Sequence, residues 1–237
     1  MSLEKQKPLY LQAYEYLKND ILKGNFAPGQ KLTDQYLSSY LGISRTPVRE
    51  AARILCKDGL LNTNDRGHLI VFDPTPEDIV EIYINRSSLQ SIACGLLAAD
   101  DRVKDFVPQL YSLVQEGEKH PDKPEKIRNI NWEFHQKLVN LTNNKMLINS
   151  YEILEIKMRF IRGFTLKKKT DIQTSVQEHI KLIDIIEKGA VKESEMMAKT
   201  HILRAALRVA NEMRDDEQQP SKKLKKMINY IESSLQQ

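Results

Sequence analysis

The stretch ISRTPVREAARIL, residues 43–55, is the part of the chain that decides its fold. It opens with small hydroxyl residues and a Thr-Pro step, and a proline fits the first turn of a helix because the N–H that it lacks would have no partner there. Val48, Ala52 and Leu55 recur at helical spacing and predict a buried face. The arginines form a row on another face of the same helix: Arg45, Arg49 and Arg53.

The residues on either side predict two more helices and a β-hairpin. A first helix is expected from about Pro8 to Lys23, and Thr33 can cap a second. The inner face of the second helix is expected to hold four residues: Tyr36, Leu37, Tyr40 and Leu41. Residues 60–63 and 69–71 have the pattern of short strands, joined by the turn residues 64–67. Three helices, with only three residues before the third, followed by a hairpin are typical of a winged helix-turn-helix.

A winged helix-turn-helix explains the exposed arginines. The N-terminal end of its third helix can enter the major groove of DNA, where arginine reads guanine edges and other cations and hydroxyls hold phosphates. The alternative is that the arginines only solvate a surface helix, but the tight turn and the hairpin favour DNA binding. Residues 1–72 carry ten Lys/Arg against seven Asp/Glu, whereas residues 73–212 carry 21 of each. The excess of positive charge therefore lies mainly in the first part of the chain, which fits a nucleic-acid partner but equally fits an ordinary solvated face.

The composition is that of a soluble globular protein, with 41% hydrophobic and 29% charged residues among 237. No apolar run approaches the roughly 20 residues that a membrane span needs, and the N-terminus has no signal-peptide core. We therefore expect a cytoplasmic protein with no membrane partner. The two cysteines, Cys56 and Cys94, lie far apart and form no CxxC pair.

The rest of the chain predicts helices only. Residues 73–78 are a linker that ends in a capping-box-like pair, Thr75 and Asp78. Six helices are expected between residues 79 and 213, because no strand-like alternation occurs there. Residues 214–237 predict a polar linker and a last amphipathic helix, whose apolar side should dock on the protein. The predicted fold class is mostly α: a winged helix-turn-helix over residues 1–72 and an all-helical bundle over residues 79–213.

Polar side chains fall on inward faces of the predicted bundle. Arg86 shares a helical face with apolar neighbours, so it either extends to the rim or bonds an anion inside. His135, His179 and His201 lie on the inner faces of three different helices. A single inward histidine is usually a hydrogen-bonded core residue, but three of them need partners or a shared ion, because buried imidazoles cannot all be charged.

With these motifs in place, the sequence resembles the GntR family of bacterial transcriptional regulators. The matching residues in the first part are Leu32, Leu37, the run LGISRTPVREA at 41–51, Gly59-Leu60, Gly67 and Val71. The second part resembles the FadR subfamily, whose effector domain is called FCD. Its marks here are Arg86, Asn131 with His135, Glu178 with His179, and Met197 with His201.

The resemblance implies a homodimer that binds a near-palindromic operator in double-stranded DNA. The DNA contacts that it implies are Ser44, Arg45, Thr46 and Arg49 in the third helix, and Arg66, Gly67 and His68 at the wing tip. Gln35 stands where many relatives have an arginine. It can still bond a phosphate or a base, but it carries no charge.

The resemblance also implies a small anionic effector, a carboxylate, bound by Arg86 and Asn131. The three histidines would hold a divalent metal ion, for which zinc and nickel suit neutral imidazoles. Asn131 would be a weak fourth ligand or a nearby donor, where the family usually has Asp. Alternatively, the histidines bond one another through water.

Two other functions compete with a ligand-responsive regulator. A metal-dependent hydrolase would need an acid or base beside the ion, but the chain has no HExxH motif. Glu178 is adjacent to His179 in sequence, yet it projects about 100° away around the helix. A constitutive architectural DNA-binding protein would not explain an interior that contains Arg86 and three histidines. We therefore expect a regulator and not an enzyme.

Overall fold

A computed structural model of the chain describes residues 7–120, 123–161, 169–212 and 220–236. The chain divides into two units: residues 1–74 together with 156–160, and residues 75–155 together with 161–237. The first contains a small antiparallel sheet, and the elements of the second are all helical. The predicted fold class is confirmed.

The first unit is a winged helix-turn-helix. Its elements are α1 (Leu9–Lys23), β1 (Lys31–Leu32), α2 (Asp34–Leu41), α3 (Arg45–Lys57), β2 (Leu61–Thr63) and β3 (Leu69–Val71). The three strands form an antiparallel sheet in the order β1-β3-β2. Lys31 pairs with Ile70 and Leu61 pairs with Val71. The sequence predicted β2 and β3 but missed β1, because two residues are too few to show an alternating pattern.

The turn between α2 and α3 sets the position of the arginine row. Thr33 caps α2 as predicted, since its side chain accepts a hydrogen bond from the Tyr36 amide. Gly42 ends α2 with φ 66°, a left-handed conformation that favours glycine. The Ser38 hydroxyl then donates to the Ile43 carbonyl oxygen at 2.5 Å. Ser44 occupies the N-cap position of α3 without a side-chain capping bond. Its hydroxyl therefore stays available to other partners.

The predicted inner face of α2 is wrong for its two tyrosines. Leu37 is fully buried, but Tyr36 and Tyr40 are 46% and 43% exposed. Their rings stack on each other, and both meet the ring of Phe26 edge-on. The Tyr40 hydroxyl also donates to Asp20 at 2.7 Å. A tyrosine can cover apolar surface while its polar end stays in water, which is why helical spacing alone placed these residues too deep.

Seven helices follow in the described residues, and they belong to the second unit except for residues 156–160 near the end of α7. They are α4 (Pro76–Ala98), α5 (Val103–Glu118), α6 (Pro124–Leu141), α7 (Lys145–Ile161), α8 (Lys169–Glu187), α9 (Val191–Glu212) and α10 (Lys222–Leu235). The capping box predicted for Thr75 and Asp78 is present at the start of α4. No helix in the described part of the chain is long and apolar enough to cross a membrane.

Helices α4 and α9 pack closely along each other because small residues line their contact. A side chain at Gly95 would come within 2.5 Å of Glu195. The Ser91 hydroxyl donates to the Glu195 carbonyl oxygen at 3.0 Å, and the Ser194 hydroxyl donates to the Cys94 carbonyl oxygen at 3.2 Å. This packing brings together the helices that carry Arg86 and His201.

Helix α10 packs on α4 and α9 of its own chain. Leu224 and Ile231 are buried, and the Ser221 hydroxyl donates to Glu77 at 2.6 Å. Lys223 forms an ion pair of 2.5 Å with Glu81. Residues 214–219 of the predicted C-terminal linker lie outside the described residues.

Candidate metal centre and nucleic-acid interface

Three buried histidines from different helices meet inside the second unit. His135 lies on α6, His179 on α8 and His201 on α9, and each side chain is almost fully buried. One ring nitrogen of each lies within 4.8 Å of the other two. The Nε2 atom of His201 is 3.2 Å from that of His179 and 3.4 Å from that of His135. The three inward positions that the sequence predicted are thus brought to one point.

The surroundings keep these imidazoles neutral. Burial lowers the pKa of His135 well below its ordinary value, and the positive charge of Arg86 lowers it further. Burial and the neighbouring His201 have the same effect on the pKa of His179. For His201, burial lowers the pKa, and the Glu178 carboxylate offsets part of that effect. Neutral imidazoles keep a nitrogen lone pair, which is the form that binds a metal.

The spacing of the nitrogens fits a divalent ion. Zinc binds histidine nitrogen at about 2.0–2.1 Å, so neighbouring ligands of a tetrahedral site lie about 3.3 Å apart. The two Nε2 separations of 3.2 and 3.4 Å match this spacing. The donor set is therefore compatible with a three-histidine metal centre that leaves one coordination position open.

Asn131 lies beside this cluster. Its side-chain oxygen accepts a hydrogen bond from the Ser175 hydroxyl at 3.2 Å. Asn131, Ser175 and His179 also line one cavity between α5, α6 and α8, whose empty space with open solvent included is about 310 Å³ and whose enclosed room is about 20 Å³. The remaining walls are almost entirely apolar: Val114, Gly117, Ile127, Ile130, Phe134, Ile172 and Val176. The cavity thus joins an apolar wall to one histidine of the cluster.

Glu178 belongs to the site through a contact that the sequence did not predict. It does project away from His179, but its carboxylate oxygen Oε2 lies 2.7 Å from Nδ1 of His201, across the α8–α9 contact. The other oxygen, Oε1, accepts a hydrogen bond from Arg204 at 3.0 Å. Burial raises the pKa of Glu178, but the hydrogen bonds and charges of His201 and Arg204 lower it below its ordinary value. The angular position of Glu178 around α8 can be read from the sequence, but its contact with His201 on α9 cannot.

Arg86 lies inside the bundle and does not extend to the rim. Its side chain is 7% exposed, and its guanidinium lies 5.6 Å from the centre of the Tyr83 ring. Gln90, one turn further along α4, donates to the His135 carbonyl oxygen at 3.1 Å. Within the described part of the chain, Arg86, Gln90 and His135 each have one buried polar atom without a hydrogen-bond partner: Arg86 Nε, Gln90 Oε1 and His135 Nδ1. Arg86 is not among the residues that line the cavity beside Asn131, so the cluster has an apolar side and a polar side.

The predicted DNA-contacting residues of α3 lie at its exposed N-terminal end. Ser44, Arg45, Thr46 and Arg49 are all on the surface. Arg45 donates a hydrogen bond to Gln35 of α2. Arg49, whose side chain is 62% exposed, forms an ion pair of 2.5 Å with Asp34 of α2. The sequence predicted these residues on one surface but not the pairing between the two helices.

The wing tip is held by an asparagine. The Asn64 side-chain oxygen accepts hydrogen bonds from the amides of Arg66, at 3.1 Å, and His68, at 2.9 Å. Gly67 has φ 76°, which the tight turn requires. The side chains of Arg66 and His68 are exposed on a turn that the backbone fixes.

Comparison with known proteins identifies both parts of the chain. Residues 9–71 match the family model described as bacterial regulatory proteins, gntR family, and residues 81–204 match the FCD domain. The chain belongs to the GntR family. Its FCD domain fits the FadR-like subfamily. The DNA-binding domain of this family implies that the chain binds DNA.

Full-length relatives support this membership. The chain is 32% identical to the HTH-type transcriptional regulator YdhC of Bacillus subtilis over 85% of this chain and 89% of that protein. It is 24% identical to the gluconate operon transcriptional repressor of Bacillus licheniformis over 78% of this chain and 76% of that protein. The solved structure of McbR/YncC from E. coli has the same fold, with a TM-score of 0.67 and 19% identity over 88% of this chain and all of that one. These sequence relatives are named as transcriptional regulators.

Proposed function

We propose that this GntR-family protein is a ligand-responsive regulator whose DNA affinity is controlled by a small carboxylate effector in a metal-containing pocket of the FCD domain. The observation that carries the proposal is the cluster of His135, His179 and His201, buried between a cavity and an arginine. In this proposal residues 1–72 bind DNA and residues 79–213 bind the effector and form the dimer, with residues 73–78 as the linker.

The DNA-binding part rests on the exposed end of α3. Arg45 and Arg49 would contact base edges or phosphates in the major groove, with Ser44, Thr46 and Gln35 beside them, while Arg66, Gly67 and His68 would meet the flanking minor groove. One such helix covers too few base pairs for useful specificity. We therefore propose a homodimer that binds two half-sites about one helical turn apart.

The metal part rests on the neutrality and spacing of the histidines. His135, His179 and His201 would bind zinc or nickel, with Asn131 as a weak fourth ligand or a nearby hydrogen-bonding group. The ion would supply a Lewis acid that attracts an anionic effector. An amide in place of the usual carboxylate removes one negative charge from the site, so the ion should be held less tightly but should attract an anion more strongly.

The effector part rests on Arg86. A buried guanidinium is costly unless an anion and hydrogen bonds compensate it, and its Nε has no partner among the described residues. A carboxylate fits because it accepts two parallel hydrogen bonds from arginine. The cavity on the apolar side encloses only about 20 Å³, room for about one water molecule, so a small acid would fit there only if the surrounding side chains move. A relative named for a gluconate operon, gluconate being a carboxylate, agrees with this class.

The hydrolase alternative receives no support from Glu178. A hydrolase needs an acid or base that faces the reacting water, but this carboxylate is bonded to His201 and Arg204. The proposed role of the site is therefore binding and not catalysis.

The metal proposal is tested by native mass spectrometry of the purified protein and by calorimetric titration with zinc and with nickel. Asn131→Asp should bind the ion more tightly, because it restores a negative ligand. His179→Ala should abolish binding while circular dichroism stays helical. Absence of zinc and nickel binding at micromolar affinity and neutral pH would reduce the cluster to a structural role.

A protein that is monomeric at micromolar concentration and yet binds its operator tightly would contradict the dimer.

A further inference from the structure

Glu178 lies outside the proposed set of metal ligands but contacts one of them. We infer that Glu178 is a positioning residue that fixes the tautomer and the ring orientation of His201 for the metal, and that Arg204 holds Glu178 in place. The inference rests on the proposed metal centre. It concerns a residue that neither receives the ion nor lines the cavity beside Asn131.

The hydrogen bond selects one of two tautomers. An ionised carboxylate only accepts hydrogen bonds, so the His201 Nδ1 that lies 2.7 Å from Glu178 must carry the proton. In a neutral imidazole the lone pair is then on Nε2. That is the atom that lies 3.2 Å from His179 Nε2 and 3.4 Å from His135 Nε2. Glu178 thereby directs a lone pair at the centre of the cluster before any ion arrives.

The carboxylate itself is held from two sides. His201 and Arg204 are three residues apart on α9 and so share one face of that helix. They bond different oxygens of Glu178, at 2.7 and 3.0 Å. Because the Glu178 side chain is only 11% exposed, solvent competes weakly for these oxygens. His201 and Arg204 therefore fix the orientation of the Glu178 carboxylate and favour its ionised form.

The histidines of the cluster differ in their hydrogen-bond partners. His135 receives a bond from Gln90 at its backbone oxygen, but its Nδ1 has no partner among the described residues. Its tautomer is not selected by a carboxylate in the way that the tautomer of His201 is. Loss of Glu178 should therefore affect the ordering of His201 specifically and should weaken metal binding without removing a ligand.

Zinc titration of the full-length protein tests the role in affinity. Removing the hydrogen-bonding partner of a metal-binding histidine typically weakens the metal about 10–100-fold. Glu178→Ala should show a loss in this range, Glu178→Gln a smaller one, and Arg204→Ala the smallest of the three. Glu187→Gln, which changes an exposed glutamate on the same helix, should stay within about twofold of the wild type.

Nitrogen NMR of the metal-free protein tests the role in tautomer selection. In the wild type, His201 should carry its proton on Nδ1, and in Glu178→Ala it should become a mixture of both tautomers. An unchanged tautomer, or a zinc affinity within threefold of the wild type in both Glu178 variants, overturns the inference. A wild-type protein that binds no zinc would remove the proposed metal centre, whereas the NMR result would still decide whether Glu178 orients His201.

Discussion

At the scale of single residues, Arg86 is a buried charge whose hydrogen-bonding capacity is only partly used. Its charge is buried, and its Nε lacks a hydrogen-bond partner in the described part of the chain. A buried charge is costly to desolvate, and even whole buried ion pairs can often be replaced by apolar groups of similar volume with a neutral or stabilising effect of about 1–4 kcal/mol. We expect Arg86→Met to preserve or raise the thermal stability of the effector-free protein and to remove its stabilisation by carboxylates.

Differential scanning fluorimetry with a panel of mono- and dicarboxylic acids measures both effects. Arg86→Lys is the matched control, because it keeps the charge but loses the two-pronged geometry. If Arg86→Met is still stabilised by the acids that stabilise the wild type, the effector does not depend on this residue.

Two arginines of the DNA-binding surface should behave differently when removed. Arg49→Ala should cost about 1–3 kcal/mol of operator binding, because it removes a base or phosphate contact. Arg66 lies on the wing tip, so Arg66→Ala should weaken the preference for flanking A·T pairs more than binding to the core of the operator. Fluorescence anisotropy with operator variants measures this. Arg102→Ala, an exposed arginine of the helical unit, is the control, and unchanged affinity in both test variants would rule out the proposed docking.

The sequence predicted the three histidines because each shares an apolar helical face, and burial follows from that periodicity. It did not predict the partners of these residues. Glu178 reaches His201 across two packed helices, and Gln35 reaches Arg45 across a turn. Such pairs depend on side-chain reach and on crossing geometry, which a single helix pattern does not contain.

At the scale of elements, α10 is an addition beyond the residues that match the FCD model. Its attachment depends on Leu224 and Ile231, which are fully buried. Truncating a buried Leu or Ile to Ala typically costs about 2–5 kcal/mol, unless the site collapses or the helix detaches first. Ile231→Ala should therefore lower stability or release α10, whereas Tyr230→Ala, at an exposed neighbour, should have little effect.

Hydrogen exchange of residues 222–235 separates detachment from global unfolding. In the wild type these amides should be protected, and in Ile231→Ala they should exchange faster than those of α9. Exchange at the rate of an unfolded peptide in the wild type would contradict the docked position.

Helix starts that are marked by their own capping residues were predictable from the sequence. Features that depend on contacts with another element were not. Thr33 and the Thr75–Asp78 pair mark helix starts through their own hydrogen bonds. The strand β1 exists only because β3 pairs with it. Tyr36 and Tyr40 were placed too deep because periodicity does not distinguish a tyrosine in the core from one that lies on the surface of the core.

At the scale of the whole molecule, the histidine cluster should make stability depend on pH. The folded protein holds the pKa of all three histidines below the unfolded value of about 6.5. Above pH 7 both states are neutral at these sites, so the histidines add no pH dependence. Below pH 6.5 the unfolded chain binds protons that the folded cluster excludes, and stability should fall by up to about 1.4 kcal/mol per pH unit for each excluded proton.

Urea unfolding of the metal-free protein between pH 5 and 8 measures this dependence. His135→Gln removes one of the titrating groups, so its stability should fall less steeply below pH 6.5. His201 should contribute less than the other two, because Glu178 favours its charged form. A flat profile between pH 5 and 6.5 would show that the imidazoles take up protons without loss of the fold.

The ion pair between Arg49 and Asp34 should affect how steeply operator binding depends on the salt concentration. A cation that meets a phosphate displaces condensed counterions, and the logarithm of affinity then falls by about 0.9 per neutralised phosphate for each unit of log salt. In the free protein Arg49 is paired with Asp34 at 2.5 Å. If Asp34 takes up a sodium ion when Arg49 turns to a phosphate, one ion is absorbed for one released. The operator affinity would then depend less steeply on sodium chloride than the number of surface arginines suggests, and Asp34→Asn would steepen it.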